Sequence, residues 1–179
     1  KDRQNFSRYY PKRLNAEVLY DAVNTRLDVE STFAGQAAGT RAVALPDNSY
    51  NRASPFLKVF GRPEGASVCE CERVQSASLA QSLHLMNAAD VKAKLSANGG
   101  RAEALSKAEM PEPKRIRELY LAAFSREPTA DEVRISENHV SKPRTDAAGK
   151  PLDSQRAKRN GYEDLVWALL NTKEFLYNH

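Results

Sequence analysis

The strongest constraint on this chain is a pair of helical periodicities set back to back with a stop between them. Ile116, Leu119, Tyr120 and Ala123 recur at the spacing of one helix face over about residues 114–125. Arg126-Glu127-Pro128 breaks that run, and Thr129-Ala130-Asp131-Glu132 then reads as a capping box opening a second helix to about Val140. In such a box the threonine oxygen takes the third helical N–H and the glutamate returns to the threonine N–H. So short a break folds the two helices into an antiparallel or angled hairpin.

The same spacing recurs elsewhere. Ala16, Leu19, Tyr20 and Val23 share one face of a helix over about residues 13–24, which places Glu17, Asp21 and Asn24 on the opposite side. Ser78-Leu79-Ala80-Gln81 is a second capping box, followed by a Leu79, Leu83, Met86 stripe that ends near Asn87. Residues 90–95 read as a short helix stopped by Asn98-Gly99-Gly100, and residues 101–108 as another ended by the proline-bearing stretch Met110 to Pro113. The last helix, over residues 162–170, carries Tyr162, Leu165, Val166, Leu169 and Leu170 on its apolar face with Trp167 flanking. Asn171-Thr172 interrupts it, and a short turn over residues 173–177 can pin the C-terminus to the core.

Between residues 25 and 68 the period disappears under Gly35, Gly39, Pro46, Asp47, Asn48, Gly61, Pro63 and Gly65. Arg41-Ala42-Val43-Ala44-Leu45 reads as a short strand or extended segment ended by Pro46. Ser54-Pro55 opens a short helix with Phe56, Leu57 and Phe60 on its apolar side and Gly61 at its close. An irregular stretch this long wraps a helical core or carries function. The fold class that follows is all-α: one helical bundle-like domain over residues 1–179, with a polar lead-in at 1–12, a long irregular insertion at 25–68 and a basic loop at 142–160. The alternative is α+β with a very small sheet around the Arg41 segment.

Composition narrows the classes. Apolar residues make up 41% of 179, enough for a core of ordinary size, and 28% charged residues favour a soluble protein. No apolar run approaches the roughly 20 residues a membrane span needs. The chain begins Lys1-Asp2-Arg3-Gln4, without an initiator Met or a signal-peptide pattern. The expectation is therefore a piece of a larger protein whose targeting signal lies upstream. The net charge of +4 sits in the stretch from Lys142 to Arg159, where Lys142, Arg144, Lys150, Arg156, Lys158 and Arg159 face only Asp146 and Asp153. That stretch has neither interleaved aromatics nor a groove-reading helix, so no nucleic-acid partner is expected.

Several strings together resemble a known family. They are Ala16-Glu17-Val18-Leu19-Tyr20-Asp21-Ala22; Leu45-Pro46-Asp47-Asn48; Phe60-Gly61-Arg62-Pro63; Cys69-Glu70-Cys71-Glu72-Arg73 with Leu83-His84-Leu85-Met86-Asn87; Arg126-Glu127-Pro128-Thr129; and Glu163 to Asn171 with Glu174-Phe175-Leu176-Tyr177-Asn178-His179. The chain from about residue 13 to 179 is similar to a planctomycete family of unknown function, domain of unknown function number fifteen fifty-three. The resemblance implies the C-terminal domain of large exported proteins, periplasmic or at the cell surface, which often carry an upstream planctomycete-type cytochrome c domain. The haem motif Cys-x-x-Cys-His is absent here, so a c-type haem would belong to the upstream part. The family brings no established catalytic residues, and the 142–159 loop lies outside its motifs.

One local cluster carries possible chemistry. In an extended chain Cys69 and Cys71 share one side, with Glu70, Glu72 and Arg73 making a polar cluster around them. Two thiolates with His84 could seed a soft-metal or redox site, to which Asp47 or His179 could add a ligand. Cys-x-Cys is not zinc-knuckle spacing, and a disulfide between residues two apart is strained. Packed thiols, a disulfide and a metal or redox site all stay open. Beyond a possible metal ion there, no cofactor is expected. Arg73 with Glu70 or Glu72 reads more simply as an ion pair, and His84 as a half-buried histidine. No nucleophile elbow, P-loop, dinucleotide fingerprint or His-Glu-x-x-His string occurs, and the three histidines are His84, His139 and His179. The reading is a scaffold or interaction module whose partners are other domains of the same parent chain, or a protein or glycan. A metal- or redox-linked accessory or enzyme domain, and a carbohydrate-binding module, are the alternatives.

Overall fold

Helix α1 (Ala16–Leu27) organises the molecule because both of its faces are buried. The computed structural model describes residues 12–46, 54–63 and 88–178. Leu19, Val23 and Leu27 enter the core with Tyr20. Tyr20 meets Phe33 at 5.6 Å and Phe56 edge-on at 5.4 Å, and Phe56 stacks on Phe60 at 4.4 Å. The helix ends on Asp28 in the left-handed conformation, φ 58°, with the Asp28 N–H returning to the Asn24 carbonyl.

A 3-10 turn (Ala42–Ala44) and α2 (Pro55–Val59) pack on α1. The α2 start follows its sequence: Ser54 Oγ accepts the Leu57 N–H, proline takes the first turn, and Gly61 at φ 81° closes it. α3 (Ala89–Leu95) and α4 (Arg101–Lys107) follow. The hairpin expected from the sequence is α5 (Glu112–Phe124) and α6 (Ala130–Val140), with both halves of the Thr129/Glu132 capping box formed. α7 (Ser154–Leu170) lies against α4 and α6. At the α6–α7 crossing Gly161 lets the helices approach closely, since a Cβ there would stand 2.9 Å from the Val140 Cα. α8 (Lys173–Leu176), capped by Thr172, buries Phe175. The chain then closes on its start: β2 (Tyr177–Asn178) pairs antiparallel with β1 (Lys12–Arg13), Lys12 opposite Asn178 and Arg13 opposite Tyr177.

The fold is mostly helical, as the all-α reading expects. Three details differ from the sequence reading. Arg41 to Leu45 is no strand: Ala42–Ala44 coil into the 3-10 turn, because Asp21 draws the N–H groups of Ala42 and Val43 inward. The side of α1 opposite its apolar stripe, which carries Glu17, Asp21 and Asn24, is buried too, a feature the periodicity does not show. Residues 154–160, assigned to the basic loop, form the first two turns of α7, where Asp153 Oδ1 accepts the Arg156 N–H at 2.9 Å. The expected helix from Ser78 and the lead-in before Lys12 lie outside the described residues.

Candidate functional site

The polar face of α1 holds several distant segments through side-chain contacts. Glu17, Asp21 and Asn24 stand at i, i+4 and i+7, so one helix face presents all three. Each grips a different segment. Arg62, itself buried, lies 3.4 Å from Glu17. Asp21 accepts the N–H of Ala42 at 2.7 Å and of Val43 at 3.2 Å, and the Arg41 Nε stands 3.4 Å away. Asn24 donates to Ser31 Oγ at 2.8 Å and accepts from Lys94 Nζ at 2.6 Å. Lys94 also sits 4.0 Å above the Tyr20 ring, a cation–π contact that holds its stem along α1.

A cleft of about 260 Å³ opens beside this face, lined by Asp21, Asn24, Asp28, Glu30, Ser31 and Arg41 among others. Its floor is already committed, because the Asp21 and Asn24 side chains bond the protein's own loops. Its rim is exposed. The Arg41 side chain is 71% accessible, and Val43 is one of the large apolar side chains left in solvent, at 48%. The arrangement fixes a protruding segment with buried carboxylate hydrogen bonds and presents its tip outward.

A second polar cluster lies across the molecule. Tyr162, fully buried, donates its hydroxyl to Glu112, whose other oxygen takes Lys158 at 2.8 Å and Arg115 at 3.4 Å. Burial alone would raise Glu112, but the hydrogen bonds from Lys158 and Tyr162 hold it below its ordinary value. Burial, reinforced by the Glu112 carboxylate, pushes the Tyr162 phenol far upward. A groove of about 470 Å³ runs past this cluster between Val140, Leu152, Ala157 and Lys158.

Cys69, Glu70, Cys71, Glu72, Arg73 and His84, with Asp47 and His179, lie outside the described residues. Among the described residues no group of three His, Cys, Asp or Glu side chains is placed to hold a metal ion. His139 stands 3.2 Å from Asp164, and Arg144 bridges the same two side chains. The α1 polar face was missed because periodicity marks the apolar side and leaves the rest to solvent by default. Arg41 and Arg62, placed in an otherwise irregular stretch, were the available signal.

Residues 1–140 match the model of a protein family, PSD1, described as a protein of unknown function (DUF1553). No curated protein and no solved structure matches the chain.

Proposed function

We propose that this chain, which belongs to the DUF1553 family of proteins of unknown function, is a non-catalytic helical interaction module of a larger exported protein, with residues 29–45 as its recognition element. The observation that supports this reading is the use made of Asp21. A buried carboxylate is costly unless its lone pairs are filled, and here they are filled by the backbone of an exposed turn. A loop immobilised in this way loses little further entropy on binding, which favours recognition. Val43 supplies an exposed apolar side chain and Arg41 an exposed cation near it. The partner in this reading is another domain of the same parent polypeptide, outside the cytoplasm.

The test uses this chain and the remainder of its parent protein, produced separately and mixed in a titration calorimeter. Val43→Asp and Arg41→Glu should each weaken the association by about tenfold or more, as a hot-spot position does, with circular dichroism unchanged. A wild-type chain that does not associate, or variants that bind as tightly, would sink the reading. Metal analysis and thiol titration of the same sample separate it from a metal- or redox-linked role for Cys69 and Cys71.

A further inference from the structure

We propose that His139, Arg144 and Asp164 form a proton-operated latch on the loop over residues 142–152, which walls one side of the groove beside Val140 and Ala157. The inference does not rest on the role given to residues 29–45.

His139 stands in the last turn of α6, Asp164 on α7, and Arg144 in the loop between them. Arg144 Nη1 donates to Asp164 Oδ2 at 2.6 Å, and its Nη2 stands 2.9 Å from His139 Nε2. A guanidinium cannot accept, so the second bond forms only when His139 Nε2 carries a lone pair and the ring proton sits on Nδ1. Asp164 Oδ2 lies 3.2 Å from the same nitrogen. An ionised carboxylate only accepts, so that contact becomes a hydrogen bond only when Nε2 carries a proton. One ring nitrogen therefore faces a donor and an acceptor, and it satisfies one of them at a time. Imidazole is the side chain whose charge ordinarily changes between about pH 5 and 8. At the alkaline end Nε2 accepts from Arg144. At the acid end Nε2–H donates to Asp164, and imidazolium and guanidinium then repel each other at contact range.

The loop depends on Arg144. Lys142, Pro143 and Leu152 line the groove of about 470 Å³. Within the loop, the Leu152 N–H bonds the Arg144 carbonyl at 2.8 Å, and Thr145 bridges to Pro151. Among the described residues, Arg144 makes the side-chain hydrogen bonds that join residues 142–152 to the helices. Losing the His139 half of that grip loosens the groove wall. The other charged groups on the packed elements are engaged elsewhere or exposed. On α5, Glu112 and Arg115 pair with each other and Glu112 with Lys158 of α7, while Lys114, Arg117 and Glu118 are exposed. On α7, Glu163 pairs with Arg159. Glu137, two residues back on α6, points away from the His139 face, and Lys142 is exposed.

The experiment follows the whole chain by NMR from about pH 8 to about pH 5, the range over which imidazole changes charge. Nitrogen shifts of the His139 ring should place its proton on Nδ1 at the alkaline end. Protection of the Leu152 amide, corrected for the pH dependence of intrinsic exchange, should fall about fivefold on acidification, the equivalent of one ordinary hydrogen bond. His139→Gln keeps an acceptor that does not titrate, and should hold that protection constant. Glu163 is the control, because burial lifts its carboxyl above the ordinary value and Asp164 and Arg144 both act on it. Glu163→Gln should keep the wild-type dependence. The latch is overturned if Nε2 carries the proton at the alkaline end, or if Leu152 protection in the wild type ignores pH. It is equally overturned if the change survives in His139→Gln or disappears in Glu163→Gln. The ring shifts are read on the wild type alone, so they decide the matter even where a variant does not fold.

Discussion

Asp21 and Ala42, 21 positions apart, are joined by a buried 2.7 Å hydrogen bond from the Ala42 backbone N–H to Asp21 Oδ1. The Val43 N–H reaches the other carboxylate oxygen. One side chain thus replaces the ladder partners that a strand would have supplied, which is why a segment with strand-like composition coils into a turn.

Replacing Asp21 by alanine leaves two backbone N–H groups without their acceptor. A lost buried acceptor costs about 1–3 kcal/mol per group, so Asp21→Ala should lower unfolding stability by about 3 kcal/mol in urea. Asp21→Asn keeps one carbonyl acceptor and should cost about half as much. Amide exchange should accelerate at Ala42 and Val43 well before it does within α1. Unchanged protection there in Asp21→Ala would show that packing, not the carboxylate, holds the turn.

Gly161→Ala sets two effects against each other. Alanine is the better helix former by about 1 kcal/mol. Its Cβ, however, would stand 2.9 Å from the Val140 Cα and 3.1 Å from the Val140 carbonyl oxygen, both backbone atoms that cannot rotate away. Overpacking of that kind costs about 1–3 kcal/mol after the helices shift. The net expectation is a loss of about 0–2 kcal/mol in urea unfolding. A gain in stability would mean that α6 and α7 separate freely.

The elements that local rules govern were legible. Thr129 and Glu132 lie within one turn of each other, so the sequence spacing contains the whole capping interaction. The same is true of Ser54, whose oxygen takes the Leu57 N–H just past the proline that opens α2. The start of α7 was not, because Ser154, Gln155 and Arg156 are exposed and show no apolar period; only Asp153 marks the cap. The buried acids of α1 were not legible either. Their partners lie at Arg62, Ala42 and Lys94, too far along the chain for any periodicity to pair them. The candidate site is therefore tertiary, while the hairpin is local.

Tyr162 should resist ionisation in the folded protein. Burial and the neighbouring Glu112 carboxylate both disfavour the phenolate, so its ionisation should wait for alkaline unfolding. Absorbance titration should show a late phase that Tyr162→Phe removes. The same variant should cost about 1–2 kcal/mol, because Glu112 keeps Lys158 and Arg115 after the hydroxyl is gone. A Tyr162 phase that coincides with exposed tyrosines in folded protein would contradict the buried hydrogen bond.

Arg126 ties the hairpin to the C-terminus, gripping Glu132 at 2.8 and 2.9 Å and Glu174 at 2.6 and 2.9 Å. The hydrogen bonds from Arg126, helped by the Thr129 N–H, hold the Glu132 carboxyl down at about 2, against an ordinary 4.5. A carboxylate whose folded pKa lies below its unfolded value stabilises the fold above the unfolded value. That contribution disappears as pH falls through the window from 4.5 to about 2. Glu132→Gln isolates the charge, since glutamine still completes a capping box. The pair is half-exposed, so the variant should lose about 1 kcal/mol or less at neutral pH. The gap to wild type should close in urea unfolding as pH approaches 2, and should shrink with added salt at neutral pH. A gap that stays constant across that window would mean that Arg126 holds Glu132 by shape alone.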